Sequence, residues 1–483
     1  MVTYYSTNSK SGKRASFEEA LLIGMAPDYG LYMVDRKEMP RFSKGDLELM
    51  KGKKYSEIAF QVLSKFLIEE IPEPELRALL DDAYLEEKIP TNVLKVNDTI
   101  YIMWLTKGPT YSFKDYAARF FGRALNYFLG KRNLRRVVVV ATSGDTGGAV
   151  ADALHGLDNV DNIVFFPKGA VSEGQRKQMT TLKKNIYAFE VNGDFDVCQA
   201  LAKTLLGDKE FAKEVFKDSE RLTSANSISL GRLLPQSVYP FYAYSKVGTE
   251  FVASIPSGNF GDMMGTVLAK EMGLPIKKII CGVNENKEFS DFLNTGKYIV
   301  GPSVKSPSSA MIVSHPSNLA RLIDFYGGHM YDKRDTKTQK VINMGVIDTM
   351  PDLEEMRKDI YSISIDNKTH YSTMKKAYEE FGVILDPHGA VGWKSLESYH
   401  FEKTGNANDV GVIYETADPG KFPLDVEKAI GIVPSIPKRM QEQKESEERI
   451  YSIESESEKT PQGLKLSDMQ IQEAKQKIKE LFA

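Results

Sequence analysis

Four short stretches carry residue types whose spacing allows chemistry. The first is KGPTYSFKD, residues 107–115. Ser112 and Asp115 fit the Ser-x-x-Asp pattern of a helix start, which predicts a helix beginning just before Lys114. Gly108-Pro109 supplies the turn leading into it. The N-terminus of a helix carries partial positive charge, so it disfavours an ammonium there, as does burial. Lys114 is therefore either a lysine whose stem is buried while its head reaches water, or a neutral amine suited to forming a Schiff base. The second stretch is ATSGDTGGA, residues 141–149, between the apolar run RRVVVV and the helical GGAVADALHG. A strand, a glycine-rich turn and a helix start make either an anion cradle of backbone N–H groups, with Ser143 and Thr146 adding hydroxyls, or a tight turn that needs glycine geometry. It lacks the Lys-Ser/Thr of a P-loop and the spacing of a dinucleotide fingerprint. The third, PSGNFGD, residues 256–262, repeats the arrangement between EFVASI and DMMGTVLAKEMG. Two cradles in one α/β chain fit two anionic groups, a cofactor phosphate and a substrate carboxylate. The fourth, ETADPGKFP, follows DVGVIY and puts Thr416 at a strand's carboxyl end, where open α/β sheets bind ligands and where a helix cap also belongs.

These stretches need elements to position them. NDTIYIMWL, RRVVVVAT, NIVFFP, NIYAFEV, EFVASIP and KKIICGV read as strands, alternating with amphipathic segments. KDYAARFFGRALNYFLG places apolar residues at 117/118, 120/121, 124/125 and 128/129, one broad face of a helix that Gly130 is placed to stop. Strands alternating with helices predict parallel sheet covered on both faces. The region before residue 95 reads as mostly helical, through SEIAFQVLSKFL and PEPELRALLDDAY. KRMQEQKESEERIYSIESESEKTPQG is charged and poor in apolar residues, which predicts a mobile linker. LSDMQIQEAKQKIKELF then forms a short amphipathic helix with Ser467 and Gln470 as its capping box. The expected division is 1–95 helical, 96–220 a smaller α/β domain, 221–433 a larger one, and 434–483 linker plus helix. Residues after about 435 read as dispensable for chemistry.

A formal net charge of −3 over 483 residues supplies no field to attract nucleic acid or an acidic membrane. There is no long uncharged apolar run, no secretory leader in MVTYYSTNSKSGKRASF, and no Cys/His cluster with metal spacing. Cys198 and Cys281 read as reduced thiols of a cytoplasmic protein.

The series YYST, SFEEALLIGMAPDYGLY, GPTYSFKD, ATSGDTGGAVADA, PKGAVSEGQRKQMTT, NSISLGRLLPQ, PSGNFGD, DPHGAVG and ETADPGKFPLDVEKA resembles the threonine synthase family, in its longer bacterial and fungal form, from residue 4 to about 430. The resemblance implies a tryptophan-synthase β-like α/β fold, with two open, mostly parallel sheets flanked by helices plus a helical N-terminal region. It implies pyridoxal 5'-phosphate (PLP) as cofactor and conversion of O-phospho-L-homoserine and water to L-threonine and phosphate, by a monomer or homodimer. Related phospholyases, which eliminate phosphate to give a 2-oxo acid, share the same cofactor residues. The family's cofactor-bearing lysine falls on Lys114. Its phosphate loop falls on Gly258, Asn259, Phe260, Gly261 and Asp262, and the hydroxyl facing the pyridine nitrogen on Thr416. Ser143, Gly144, Asp145 and Thr146, with Gly147, are expected at the substrate, as are Asn226 and Arg232.

Three departures from the family pattern stand beside these positions. Lys107 replaces a histidine before Gly-Pro-Thr, Tyr111-Ser112 replaces Leu-Ala, and Asp418 replaces the histidine of Thr-Ala-His-Pro. Lys107 donates hydrogen bonds and carries positive charge, as a histidine can, so it is expected to favour a substrate phosphate or carboxylate.

Overall fold

The computed structural model describes residues 1–483 apart from 11, 227, 337–340, 405–407, 461–462 and 483. The chain divides into two compact units: Met1–Leu21, Met25–Ala117 and Ser227–Ile436 in the first, and Leu22–Gly24, Ala118–Asn226 and Pro437–Ala483 in the second.

The first unit is built on a six-stranded sheet in the order Ile360–Ser364, Ile276–Val283, Phe251–Pro256, Gly411–Glu415, Ile100–Trp104, Asn92–Lys95. All pairs are parallel except the last. Its central strands are rich in β-branched and other apolar residues with both faces covered, as parallel sheets require. Ile102, Val252, Ile280 and Ile413 share one core with Met374 and Ala377 of helix Asn367–Phe381 and with Trp393 and Leu396 of helix Pro387–Ser398.

The N-terminal helices fall within this compact unit. Tyr55, at the start of helix Tyr55–Leu67, packs on Tyr84, Tyr116 and Tyr242 with ring centroids 4.9, 5.0 and 5.3 Å away. Three phenols of this aromatic cluster donate to backbone carbonyls, Tyr84 to Tyr116 O, Tyr239 to Phe113 O and Tyr242 to Thr91 O. Two of those carbonyls flank Lys114. The aromatic cluster therefore ties the N-terminal helices to the turn that carries it.

The second unit holds a five-stranded, wholly parallel sheet in the order Ile450–Ile453, Ile186–Val191, Val160–Pro167, Arg136–Ala141, Leu222–Ser224. Helix Lys114–Lys131 has its first turn in the first unit and the rest in the second, and it runs through Gly130. Cys198 and Cys281 are both buried and free.

The C-terminal segment departs from the linker expectation. Pro437–Ala483 is part of the second unit. It supplies helix Lys438–Lys444, the edge strand Ile450–Ile453, a pair of short strands Glu458–Thr460 and Gly463–Lys465, and helix Asp468–Phe482. Its charges are paired rather than merely solvated: Glu448 meets Arg176 at 2.9 Å and the hydroxyl of Thr180 at 2.7 Å, and Arg439 meets Asp152. Ile453, Ala474 and Ile478 are buried in the unit's core with Val137, Val139 and Phe189. The capping box of the last helix forms as its sequence predicts, Gln470 N–H donating to Ser467 Oγ and Ser467 N–H to Gln470 Oε1.

Candidate active site

Lys114 opens its helix, but the turn before it is held differently from the pattern in the sequence. Ser112 Oγ accepts from the N–H of Lys114 itself, at 3.3 Å. The Asp115 carboxylate accepts from the N–H and the hydroxyl of Thr110. Gly108 allows this closure, since a Cβ there would lie 2.5 Å from Asp115 Oδ2. Tyr111 is left-handed, φ 60. Such a residue costs on the order of 1 kcal/mol or more and persists where surrounding structure determines it. Here its carbonyl accepts from Asp418 N–H, and Phe113 N–H donates to Thr416 O at 2.9 Å. The Lys114 turn is thus laced to the loop after strand Gly411–Glu415, and Lys114 and Thr416 come together in the first unit. Lys114 is half-buried and Thr416 buried.

Two of the three departures from the family pattern are one ion pair. Lys107 Nζ donates to Asp418 Oδ2 at 2.8 Å, while Asp418 Oδ1 accepts from Gly420 N–H. Lys107 is half-exposed and Asp418 buried. Lys107, expected at a substrate anion, has its ammonium engaged by Asp418, and the pair adds a further tie between the loops that carry Lys114 and Thr416.

The PSGNFGD loop enters helix Gly261–Glu271 through a second left-handed non-glycine residue, Phe260, φ 59, whose ring is buried against Phe289. Backbone N–H groups at the helix start are without intrahelical partners, which suits an anion. Asn259 is anchored at both ends: its carbonyl accepts from the N–H and side chain of Asn318, and its Oδ1 from Ser317 N–H. Gly258 and Gly261 are glycines because of what packs on them. A Cβ on Gly258 would stand 2.8 Å from Ala310 O, and one on Gly261 would stand 2.8 Å from the Gln236 amide. A Gly258→Val chain must displace the Ala310 backbone, an overpacking cost of about 1–3 kcal/mol. A folded Gly258→Val variant is expected to bind PLP about tenfold or more weakly in a fluorescence titration, tenfold being about 1.4 kcal/mol. Unchanged affinity would remove this loop from the cofactor site.

Asp262 is buried, with Oδ1 accepting from Met263 N–H and Oδ2 without a hydrogen-bond partner. Burial pushes its carboxyl up to about 7, against the pull of backbone N–H groups and the positive field of Lys114. An orphaned buried carboxyl oxygen near a lysine and a helix start fits a site built for a polar group. The linkage has a definite sign. The folded apoprotein holds this proton more tightly than the unfolded chain, so its stability falls as pH rises from about 4 through 7. Asp262→Asn removes that slope. The apo variant is expected to match the wild type near pH 4 and to exceed it at pH 8 by on the order of 4 kcal/mol in urea unfolding. Parallel pH curves would show that Asp262 is ionised in the fold.

Arg232 is also buried in the first unit, and burial lowers its guanidinium to about 10. Its carbonyl accepts from Gln236, the side chain that packs beneath Gly261.

Ser143, Gly144, Asp145, Thr146 and Gly147 lie in the second unit, at the start of helix Asp145–Leu154, and Asn226 lies at the end of that unit's middle segment. The organiser of this loop is a residue that sequence reasoning passed over. Thr142 Oγ1 accepts from the N–H groups of Gly144 and Gly147, each at 2.9 Å, and donates to Gly144 O. A Cβ on Gly147 would stand 2.3 Å from the Thr142 methyl. The available signal was a threonine at the strand end directly before the glycine loop. Asp145 Oδ1 accepts from Gln175 Nε2 at 2.8 Å, which orients it within the unit.

Parallel sheets, a lysine at a helix start and a glycine loop opening a second helix have counterparts among known proteins. The family described as "Pyridoxal-phosphate dependent enzyme" matches residues 88–414. The family's cofactor is PLP, and this chain is a PLP-dependent enzyme of mixed α/β architecture. Regions described as "Threonine synthase N terminus" and "Threonine synthase, C-terminal" match residues 3–84 and 389–462. The threonine synthase of Pseudomonas aeruginosa is 34% identical over 466 residues, 94% of this chain and 96% of that protein. The Escherichia coli one is 32% identical over 434 residues, 89% and 92% of the two. A PLP-bound threonine synthase structure from Brucella melitensis superimposes with a TM-score of 0.86 at 28% identity, covering 100% of both chains. The Escherichia coli structure gives 0.78 at 30%, covering 93% and 96%. The chain belongs to the threonine synthase family, PLP-dependent lyases of fold type II.

Proposed function

We propose that this enzyme converts O-phospho-L-homoserine and water into L-threonine and inorganic phosphate. The observation that carries the proposal is Lys114 at its helix start, laced to Thr416 and in the field of Asp262, in a chain of the threonine synthase family. Lys114, Gly258, Asn259, Phe260, Gly261, Asp262 and Thr416 are the residues we assign to PLP. When bound, PLP supplies the electron sink that makes protons on the substrate's carbon chain removable.

The chain's own residues divide the remaining work. The amine of Lys114 holds the cofactor, and once released it takes the proton from Cα and later returns it there. The PSGNFGD loop and the helix start at Gly261 would hold the cofactor phosphate. The Thr416 hydroxyl would pair with the ring nitrogen. To substrate anions we assign the buried Arg232 of the first unit and, separately, Asn226 and Ser143–Thr146 of the second. We also place the enzyme in the cytoplasm, a reading supported by two buried free thiols. Among the described residues no helix is long and apolar enough to cross a membrane.

The test is product analysis. Incubated with O-phospho-L-homoserine, the holoenzyme is expected to yield threonine and phosphate in equal amounts. Mostly 2-oxobutyrate, ammonia and phosphate would mean that the unsaturated product escapes before water adds at Cβ, and would favour a phospholyase. The Lys107–Asp418 pair is where such a difference is to be sought, since it stands in place of two family histidines next to Thr416.

A further inference from the structure

Behind the PSGNFGD loop lies a buried polar relay that the proposed chemistry does not use. Asp386 caps helix Pro387–Ser398, Oδ1 accepting from Gly389 N–H and Oδ2 from His388 Nδ1. His388 Nε2 then accepts from the N–H of Ala310 at 3.1 Å. With Nε2 accepting an N–H, the ring proton in the contact with Asp386 lies on Nδ1. On the other side, Glu415 Oε1 accepts from Asp386 N–H at 2.9 Å. Asp386, His388 and Glu415 are 0%, 2% and 0% exposed. Burial first, and the charge of Asp386 second, raise the Glu415 carboxyl well above the ordinary range. The fit leaves no slack: a Cβ on Gly389 would fall 1.6 Å from Glu415 Oε2.

The far end of the relay is the wall against which Gly258 packs. Ala310 O is the atom nearest a Cβ placed on Gly258. The residues before it are pinned in the same manner, Ser308 Oγ meeting His370 Nε2 at 2.9 Å and Asn284 Nδ2 at 3.1 Å. The chain of contacts therefore runs from Glu415, adjacent to Thr416, to Ala310, which touches Gly258.

We propose that His388 is a positioning residue of the cofactor-phosphate cradle: oriented by Asp386, it accepts the Ala310 N–H at Nε2 and so holds the Ala310 backbone against Gly258. The proposal rests on the reading of PSGNFGD as the cradle. A role in folding alone would leave PLP affinity in step with stability. A positioning role separates the two, and it depends on an acceptor at the Nε2 position rather than on the imidazole as such.

The experiment uses two amides in the full-length chain. His388→Asn puts a donor near the Nδ1 position and leaves Ala310 without its acceptor. His388→Gln places an amide oxygen near Nε2. PLP affinity of the apoproteins is measured by fluorescence titration beside their melting temperatures, with Gly258→Val as reference. The expected result is at least about a tenfold loss of PLP affinity for Asn, recovered to within about threefold by Gln, with melting temperatures of the two apo variants alike. Equal affinities for Asn and Gln, or wild-type affinity for a folded Asn variant, would overturn the proposal. If His388→Asn fails to fold, Ala310→Pro, which lacks the N–H while keeping His388, decides: a similar loss supports the proposal and unchanged affinity overturns it. A Gly258→Val variant that binds PLP normally would overturn the cradle reading, and this inference with it. A loss there beside normal binding by His388→Asn would overturn the inference alone.

Discussion

Lys114→Ala is expected to lower turnover of O-phospho-L-homoserine by at least about 10³-fold while leaving the fold intact, since proton transfer by a placed side chain alone contributes roughly 10²–10⁴-fold. The loss is expected to be larger than any from Arg232 or Thr416, because the same amine holds the cofactor and moves the Cα proton. Stability is expected to change little. Lys114 is half-buried, and the turn before it is held by backbone hydrogen bonds and by Thr110, Ser112 and Asp115. Borohydride reduction of the wild-type holoenzyme and peptide mapping check the same assignment: the pyridoxyl group is expected on Lys114. A label on Lys107, seven residues away in sequence and paired with Asp418, would transfer the role to that residue. A Lys114→Ala chain that turns over at the wild-type rate would likewise remove Lys114 from the chemistry.

What the sequence made legible was what local pattern determines. The strands Arg136–Ala141 and Phe251–Pro256 are runs of apolar residues that a covered parallel sheet demands, and the glycine loops follow them directly. The Ser467–Gln470 box is a contact three residues apart and forms as read. The Ser112–Asp115 pattern has the same spacing, yet its aspartate is drawn to Thr110 because Gly108 and the left-handed Tyr111 bring that residue within reach. The rest was hidden because it depends on partners remote in the chain. Lys107 and Asp418 each read as a departure from a family pattern, and their meaning lies in the ion pair across 311 residues. Thr142 and His388 act through backbone N–H groups, which leave no mark in residue type at the accepting end. The C-terminal charges read as solvated because their partners, Arg176 and Asp152, lie more than 260 residues earlier.

That last misreading leads to the second large effect. A chain ending at residue 436 is expected to lose the second unit rather than to lose a tether. Removing Ile450–Ile453 uncovers the edge of strand Ile186–Val191, whose backbone groups then lack their ladder partners. Removing helix Asp468–Phe482 takes Ala474 and Ile478 out of the core and strips Phe482 from the rings of Tyr187 and Phe216. Ile453 goes with them, as do the partly buried Tyr451, Leu466, Ile471, Leu481 and Phe482. Each large side chain fully buried contributes about 1.5–3 kcal/mol, so even partial burial of this set approaches the roughly 5–15 kcal/mol that holds a whole domain folded. The paired Arg176–Glu448 and Arg439–Asp152 would also leave a guanidinium and a buried carboxylate without partners they have in the intact chain. The truncated protein is expected to be insoluble, or to lose the cooperative unfolding of the second unit in calorimetry while the first unit retains its own. A soluble truncated chain with wild-type melting and turnover would mean that these contacts contribute little, and that the segment is the dispensable tail its composition resembles.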